Sequence, residues 1–147
     1  MSLQRTLADF FTHDHHECDR LWAEVEQAAE ADDAARVGTT FDAFDKAQRH
    51  HISMEEDVMF PAFEEATGMT SGPTQVMRDE HAQMRGLLDQ MRQALVGGDT
   101  QELLDQGDTL LMLIQQHNQK EEGILYPMAE QVLGAQWAEL HARLGDA

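Results

Sequence analysis

One pattern occurs twice in this sequence, and the repetition constrains the fold more than any other feature. His51-Ile52-Ser53-Met54-Glu55 recurs as His117-Asn118-Gln119-Lys120-Glu121, 66 residues further on. At the same offset Asp14-His15 falls on Glu80-His81, Glu56 on Glu122, and Phe60-Pro61 on Tyr126-Pro127. Cys18, Leu21, Trp22 and Val25 fall on Met84, Leu87, Leu88 and Met91. The chain therefore reads as an internal duplication, about 7–67 and 73–133. What it repeats most closely is one His followed by His-x-x-x-Glu. Halves of this size bury too little surface to be comfortable alone, so the 147 residues are expected to form a single domain, 1–147, with a shared core.

Helix formers dominate and β-branched residues are sparse, which predicts helix throughout. A first helix is expected from a Ser2 cap to about Ala31, with His15 in the middle of an apolar face of Leu7, Phe11, Cys18, Leu21, Trp22 and Val25. Asp32 or Asp33 caps a second, from about Ala34 to Ala66, which carries His51 and Glu55 on the stripe of Val37, Phe44, Ala47, Val58 and Met59. The stretch from Thr67 to Pro73 reads as a linker, with Ser71 as a cap or Pro73 in the next first turn. The third helix aligns Met77, His81, Met84, Leu88, Met91 and Leu95 before Gly97-Gly98 stops it. The fourth starts at Asp99 or Thr100 and turns Leu110, Ile114, His117, Glu121, Ile124 and Met128 inward. Gly134 ends it, and a tail helix is expected around Trp137, Leu140 and Leu144. Short turns within each half make neighbours antiparallel. The expected fold is an all-α, up-down-up-down four-helix bundle with a short C-terminal helix.

The bends fix the height of each histidine. His15 and His51 are equidistant from the Asp32-Asp33 turn, and His81 and His117 from the turn after Gly97-Gly98. Each lies roughly 27 Å from its bend at about 1.5 Å per helical residue, so all four meet in one layer. Residues four apart share a helix face, so Glu55 projects with His51 and Glu121 with His117.

Ionised carboxylates and imidazoles in an apolar stripe cost several kcal/mol per unpaired charge. Two cations remove that cost, because a carboxylate can bridge two metals while each imidazole binds one. A lone His-x-x-x-Glu would read as an ordinary buried pair. Two copies at one height, joined by His15 and His81, point to metal.

The neighbours read differently. His16 and His50 match Ala82 and Gln116 in the repeat and are taken as flank, as are Glu56 and Glu122; His13 and His141 are taken as surface. Asp14 and Glu80 either orient imidazoles or sit on a solvated face. Cys18 is taken as core packing, and Tyr126 as either a hydrogen-bond donor to a bound ligand or core. Pro61 and Pro127 predict a kink or break just beyond each His–Glu pair, because proline orphans a carbonyl one turn back.

Composition excludes some partners. A formal charge of −18, from 28 acidic against 10 basic residues, argues against nucleic acid and anionic membranes. One cysteine permits no internal disulfide, no run approaches a membrane span, and the first residues lack a signal core. A cytoplasmic location is the expectation.

The sequence resembles the hemerythrin HHE cation-binding family. The likeness rests on Asp14-His15, His51-x3-Glu55-Glu56, Glu80-His81 and His117-x3-Glu121-Glu122, with an aromatic-Pro pair after each Glu-Glu. It implies two Fe ions in a non-haem, oxo- or hydroxo-bridged centre that binds O₂ or related molecules. By position the ligands would be His15, His51, His81 and His117, with Glu55 and Glu121 bridging. Oxygen-carrying members have five histidines, whereas the third helix here offers His81 with Met77 and Arg85 four residues to either side. With two His per metal, both irons would have open positions unless His16 or His50 joins them. That shifts the expectation from simple oxygen carriage toward redox chemistry with O₂, peroxide or NO. An oxygen or NO sensor or carrier without turnover, or an iron donor for repair of damaged iron centres, stays an alternative. The donor types also leave Mn or Zn open.

Overall fold

The computed structural model describes residues 5–146, and every regular element among them is helical. The first rod, α1 (Leu7–Glu30), starts at Thr6, whose Oγ1 accepts the Asp9 N–H at 3.2 Å. The Ser2 start expected from the sequence lies outside the described residues. Asp33 caps α2 (Ala34–Met54) by accepting the Arg36 N–H at 3.1 Å. Its repeat mate Asp99 caps α5 (Thr100–Lys120) on the Glu102 N–H at 3.0 Å. The residues just before these caps, Asp32 at φ 54° and Gly98 at φ 73°, both take the left-handed conformation that reverses the chain. Gly68 does the same at φ 72° after α3 (Phe60–Thr67), and Pro73 opens α4 (Pro73–Val96).

The second and fourth rods are continuous, and each contains a π-helical turn. Glu55–Met59 joins α2 to α3, and Glu121–Leu125 joins α5 to α6 (Tyr126–Leu133). The Phe60 N–H reaches back five residues to the Glu55 carbonyl, and the Tyr126 N–H to that of Glu121. The break expected beyond each His–Glu pair takes the form of a widened turn that starts on the Glu itself and leads into the proline. One extra residue in the turn relieves the clash between the proline ring and the carbonyl below it. It also turns the last part of each rod about the helix axis. Leu125, Ala129 and Leu133 face the core, while Ile124, expected inward, is 59% exposed.

α1 packs along α2, and α4 along α5, which gives the four-helix bundle. The apolar interior is divided in two. One core, near the two tight bends, gathers Trp22, Phe41, Phe44, Leu88, Met91 and Leu110. The other gathers Leu7, Phe11, Phe60, Phe63, Tyr126 and Leu133, and a tail closes it. That tail is a 3₁₀ turn (Gly134–Gln136), α7 (Trp137–Arg143) and a last 3₁₀ turn (Leu144–Asp146). Trp137, Leu140 and Leu144 are buried, and Trp137 Nε1 donates to the Arg5 carbonyl at 2.7 Å. Among the described residues no helix is long and apolar enough to cross a membrane.

Candidate metal centre

Polar side chains fill the level between the two cores. His15, His51, Glu55, His81, His117 and Glu121 are all brought there, none more than 4% exposed. Each carboxylate meets one histidine of its own rod and one from the other half of the repeat. Glu55 Oε1 lies 3.4 Å from His51 Nε2 and 3.1 Å from His81 Nε2. Glu121 Oε1 lies 3.1 Å from both His117 Nε2 and His15 Nε2. The Nε2 atoms of His81 and His117 are 3.2 Å apart.

All four Nε2 atoms point inward because all four Nδ1 atoms are held from behind. Glu122 meets His15 Nδ1 at 2.7 Å, and Asp14 meets His51 Nδ1 at 2.7 Å. Glu56 and Glu80 meet the Nδ1 atoms of His81 and His117, each at 2.8 Å. A carboxylate that takes the Nδ1 proton fixes the ring and leaves Nε2 as the inward donor atom. Asp14 and Glu80 thus orient imidazoles. Glu56 and Glu122, read from the sequence as flank, do the same; each serves a histidine on a different rod, and spacing along its own helix could not reveal that.

The remaining candidates fall outside the layer. His13, His16 and His50 are exposed and belong to neither group of converging donors. His141 is also exposed, its ring against Phe10 and Trp137. Cys18 is buried among its neighbours, and burial pushes its thiol pKa up. Tyr126 lies in the layer. Its hydroxyl is 2.7 Å from Glu55 Oε2 and 3.0 Å from both His15 Nε2 and Glu121 Oε1. Burial, with the charges of Glu121 and Glu55, holds its pKa well above the usual phenol value, so the hydroxyl keeps its proton.

Without metal the layer is a dense set of coupled charges. Burial opposes the imidazolium of His81, yet the carboxylates of Glu55 and Glu56 beside it outweigh burial and bring its pKa to about 9. His51 and His117 are raised in the same way, against burial, by the carboxylates beside them. Burial opposes the charge of Glu55 too, but the imidazoles, His51 foremost, hold it well below the usual carboxylate range.

Protons alone leave this arrangement incomplete. His51 Nε2, Glu55 Oε1 and Glu121 Oε2 are buried with no hydrogen-bond partner, although charged neighbours lie within about 3.4 Å of the first two. Proximity without hydrogen-bond geometry is what cation ligands show before they close on an ion. The inward atoms form two groups that could each hold one. Glu55, His81, His117 and Glu121 make one, and His15, His51 and Glu121 the other, each within 4.8 Å. Imidazole nitrogen with carboxylate oxygen suits iron, manganese or zinc.

Comparison with known proteins agrees with this architecture. The sequence model of the hemerythrin HHE cation binding domain matches residues 6–129. The chain is also 25% identical over 133 residues to a DNA nickase of Nostoc sp. (strain PCC 7120), an alignment covering 90% of this chain and 36% of that protein. The chain thus spans about a third of the length of this curated relative. No solved structure matches it.

Proposed function

The chain belongs to the hemerythrin HHE cation binding domain family, and from that membership and the buried donor layer we propose a non-haem di-iron protein that binds or reduces a small oxidant (O₂, peroxide or NO). His15, His51, His81 and His117, with Glu55 and Glu121, are the residues that would hold the two irons. Two bound irons supply exchangeable coordination positions and electrons for such a ligand.

The observation that carries this reading is the convergence of four Nε2 atoms on two carboxylates, each carboxylate with one oxygen that has no hydrogen-bond partner, at 4% exposure or less. The protein contributes in three ways. The outer carboxylates fix the imidazoles, the two apolar cores keep water out, and Tyr126 presents a protonated hydroxyl to the ligand layer. So little exposure suits a small molecule and leaves a polymer no access to the donor atoms. DNA strand cleavage, which the relative's name raises, is disfavoured on the same ground and by the net charge of −18.

Anaerobic reduction of iron-loaded protein, followed by O₂, NO or peroxide in turn, tests the reading through the absorption spectrum. Rapid turnover with peroxide or NO supports an enzyme, and a stable reversible oxygen adduct supports a carrier or sensor. Spectral inertness to all three overturns oxidant chemistry and favours iron donation, storage or a structural site.

A further inference from the structure

The two halves of the layer match at the inward atoms and differ behind them. Glu56, behind His81, is bonded by Arg85, and Glu80, behind His117, by Lys120. Arg78 adds a contact to the Glu56 carbonyl at 3.5 Å while pairing with Glu64 at 3.2 Å. None of these cations recurs in the repeat. The positions 66 residues before Arg85, Lys120 and Arg78 are Asp19, Met54 and Thr12. Among the described residues, no Lys or Arg bonds Glu122 behind His15 or Asp14 behind His51.

Solvent exposure divides the layer in the same way. Glu56 and Glu80 are each 15% exposed, whereas Asp14 is 30% and Glu122 37% exposed. A surface cavity of about 240 Å³, lined by His15, His16, Asp19, Asn118 and Glu122 among others, opens against His15. The inward donor groups are unequal too, with four residues in the one that contains His81 and His117 and three in the one that contains His15 and His51.

Resting on the di-metal reading, we infer that the two cation positions exchange at different rates. Metal enters and leaves through the His15 and His51 position, while Arg85 and Lys120 hold the His81 and His117 position closed. A carboxylate behind a ligating imidazole is worth roughly 10–100-fold in metal affinity. Water competes for Glu122 and Asp14, so their support of His15 and His51 is intermittent. Arg85 and Lys120 remove that freedom from Glu56 and Glu80. Their positive charge repels a bound metal, but each is already bonded to a carboxylate, so the positioning effect prevails.

The 147-residue chain is loaded with Zn(II), its zinc content measured, and the metal then drawn off by a coloured chelator. Two zinc ions per chain should leave in two phases of equal amplitude, at rates at least about tenfold apart. In half-stripped protein, nitrogen NMR of the imidazoles should show His15 and His51 changed first. Arg85→Asp should accelerate the slow phase alone, and Arg85→Lys should restore it. Asp19→Arg, which supplies the missing cation behind Glu122, should slow the fast phase. Arg85 and Lys120 are 37% and 49% exposed, so these variants spare the core, and Lys120→Ala gives an independent check on the slow phase. Two zinc ions leaving together, or a slow phase indifferent to Arg85→Asp and Lys120→Ala, overturn the inference alone. A chain that takes up no zinc overturns the di-metal reading and the inference with it.

Discussion

Tyr126 places its hydroxyl 2.7 Å from Oε2 of Glu55, on the opposite half of the repeat. The residue at the equivalent place in the first half is Phe60, which stacks on His81 at 5.6 Å much as Tyr126 stacks on His15 at 5.6 Å. The two rings fill similar space, and only one carries a donor. Tyr126→Phe should therefore pack without strain and remove one hydrogen bond from a fully buried carboxylate. In metal-free protein the expected cost is about 1–3 kcal/mol, the penalty for leaving such a group short of a partner. Bound metal neutralises Glu55, so the metal-loaded variant should lose less. Urea denaturation of both forms measures this, and equal losses in the two forms would contradict it.

Glu121 lies in both donor groups, whereas His81 lies in one. Glu121→Ala should therefore bring the metal content of loaded protein from two per chain toward none, and His81→Ala should bring it toward one. Elemental analysis after gel filtration reads both, with circular dichroism to show that the helices persist. Loss of a single ion in Glu121→Ala would mean that this carboxylate is not shared.

The six inward residues were legible in the sequence because a duplication marked them and the bends put them at one height. The layer's outer side was not. Glu122 serves a histidine 107 residues away and Glu56 one 25 residues away, and helical periodicity describes only one helix at a time. Pro61 and Pro127 signalled an irregularity, but not that a π turn would absorb them. That turn is why the inward residue is Leu125 and not Ile124. The bend geometry was clearer, since Asp33 and Asp99 cap their helices as side chains of that kind do.

Gly107 illustrates how the duplicated halves have diverged in volume. A Cβ added there would stand 2.2 Å from Cη2 of Trp22. Their repeat mates reverse the sizes, with Phe41 for Gly107 and Leu88 for Trp22, in the same core. Gly107→Ala should cost about 1–3 kcal/mol by overpacking. In a Trp22→Leu background the same substitution should cost at least about 1 kcal/mol less, because the contact it forces is gone. Chemical denaturation of the four proteins of this cycle supplies the comparison, and additive losses would show that some other contact excludes the methyl group.

Stability of the metal-free protein should depend on pH in a direction set by the histidines. The pKa of His81 rises from 6.5 to about 9 on folding. Its stabilisation is therefore complete below pH 6.5 and is lost as pH climbs through about 9. A rise of this size corresponds to roughly 3 kcal/mol between the two protonation states. His51 and His117 are raised as well and act in the same sense. Glu55 is lowered from 4.5, so its contribution is present above that pH and lost as acid approaches its folded value. Metal-free protein should thus be most stable between about pH 4.5 and 6.5 and weaken toward pH 9. Bound cations take the place of these protons, so loaded protein should keep its urea midpoint over the alkaline part of the range and release protons as it fills. Urea midpoints of both forms at pH 6 and pH 9, with proton release monitored by an indicator dye in weak buffer, test the coupling. A metal-free protein no weaker at pH 9 than at pH 6 would show that the imidazoles are neutral in the folded layer, and loading at pH 7 would then release no protons.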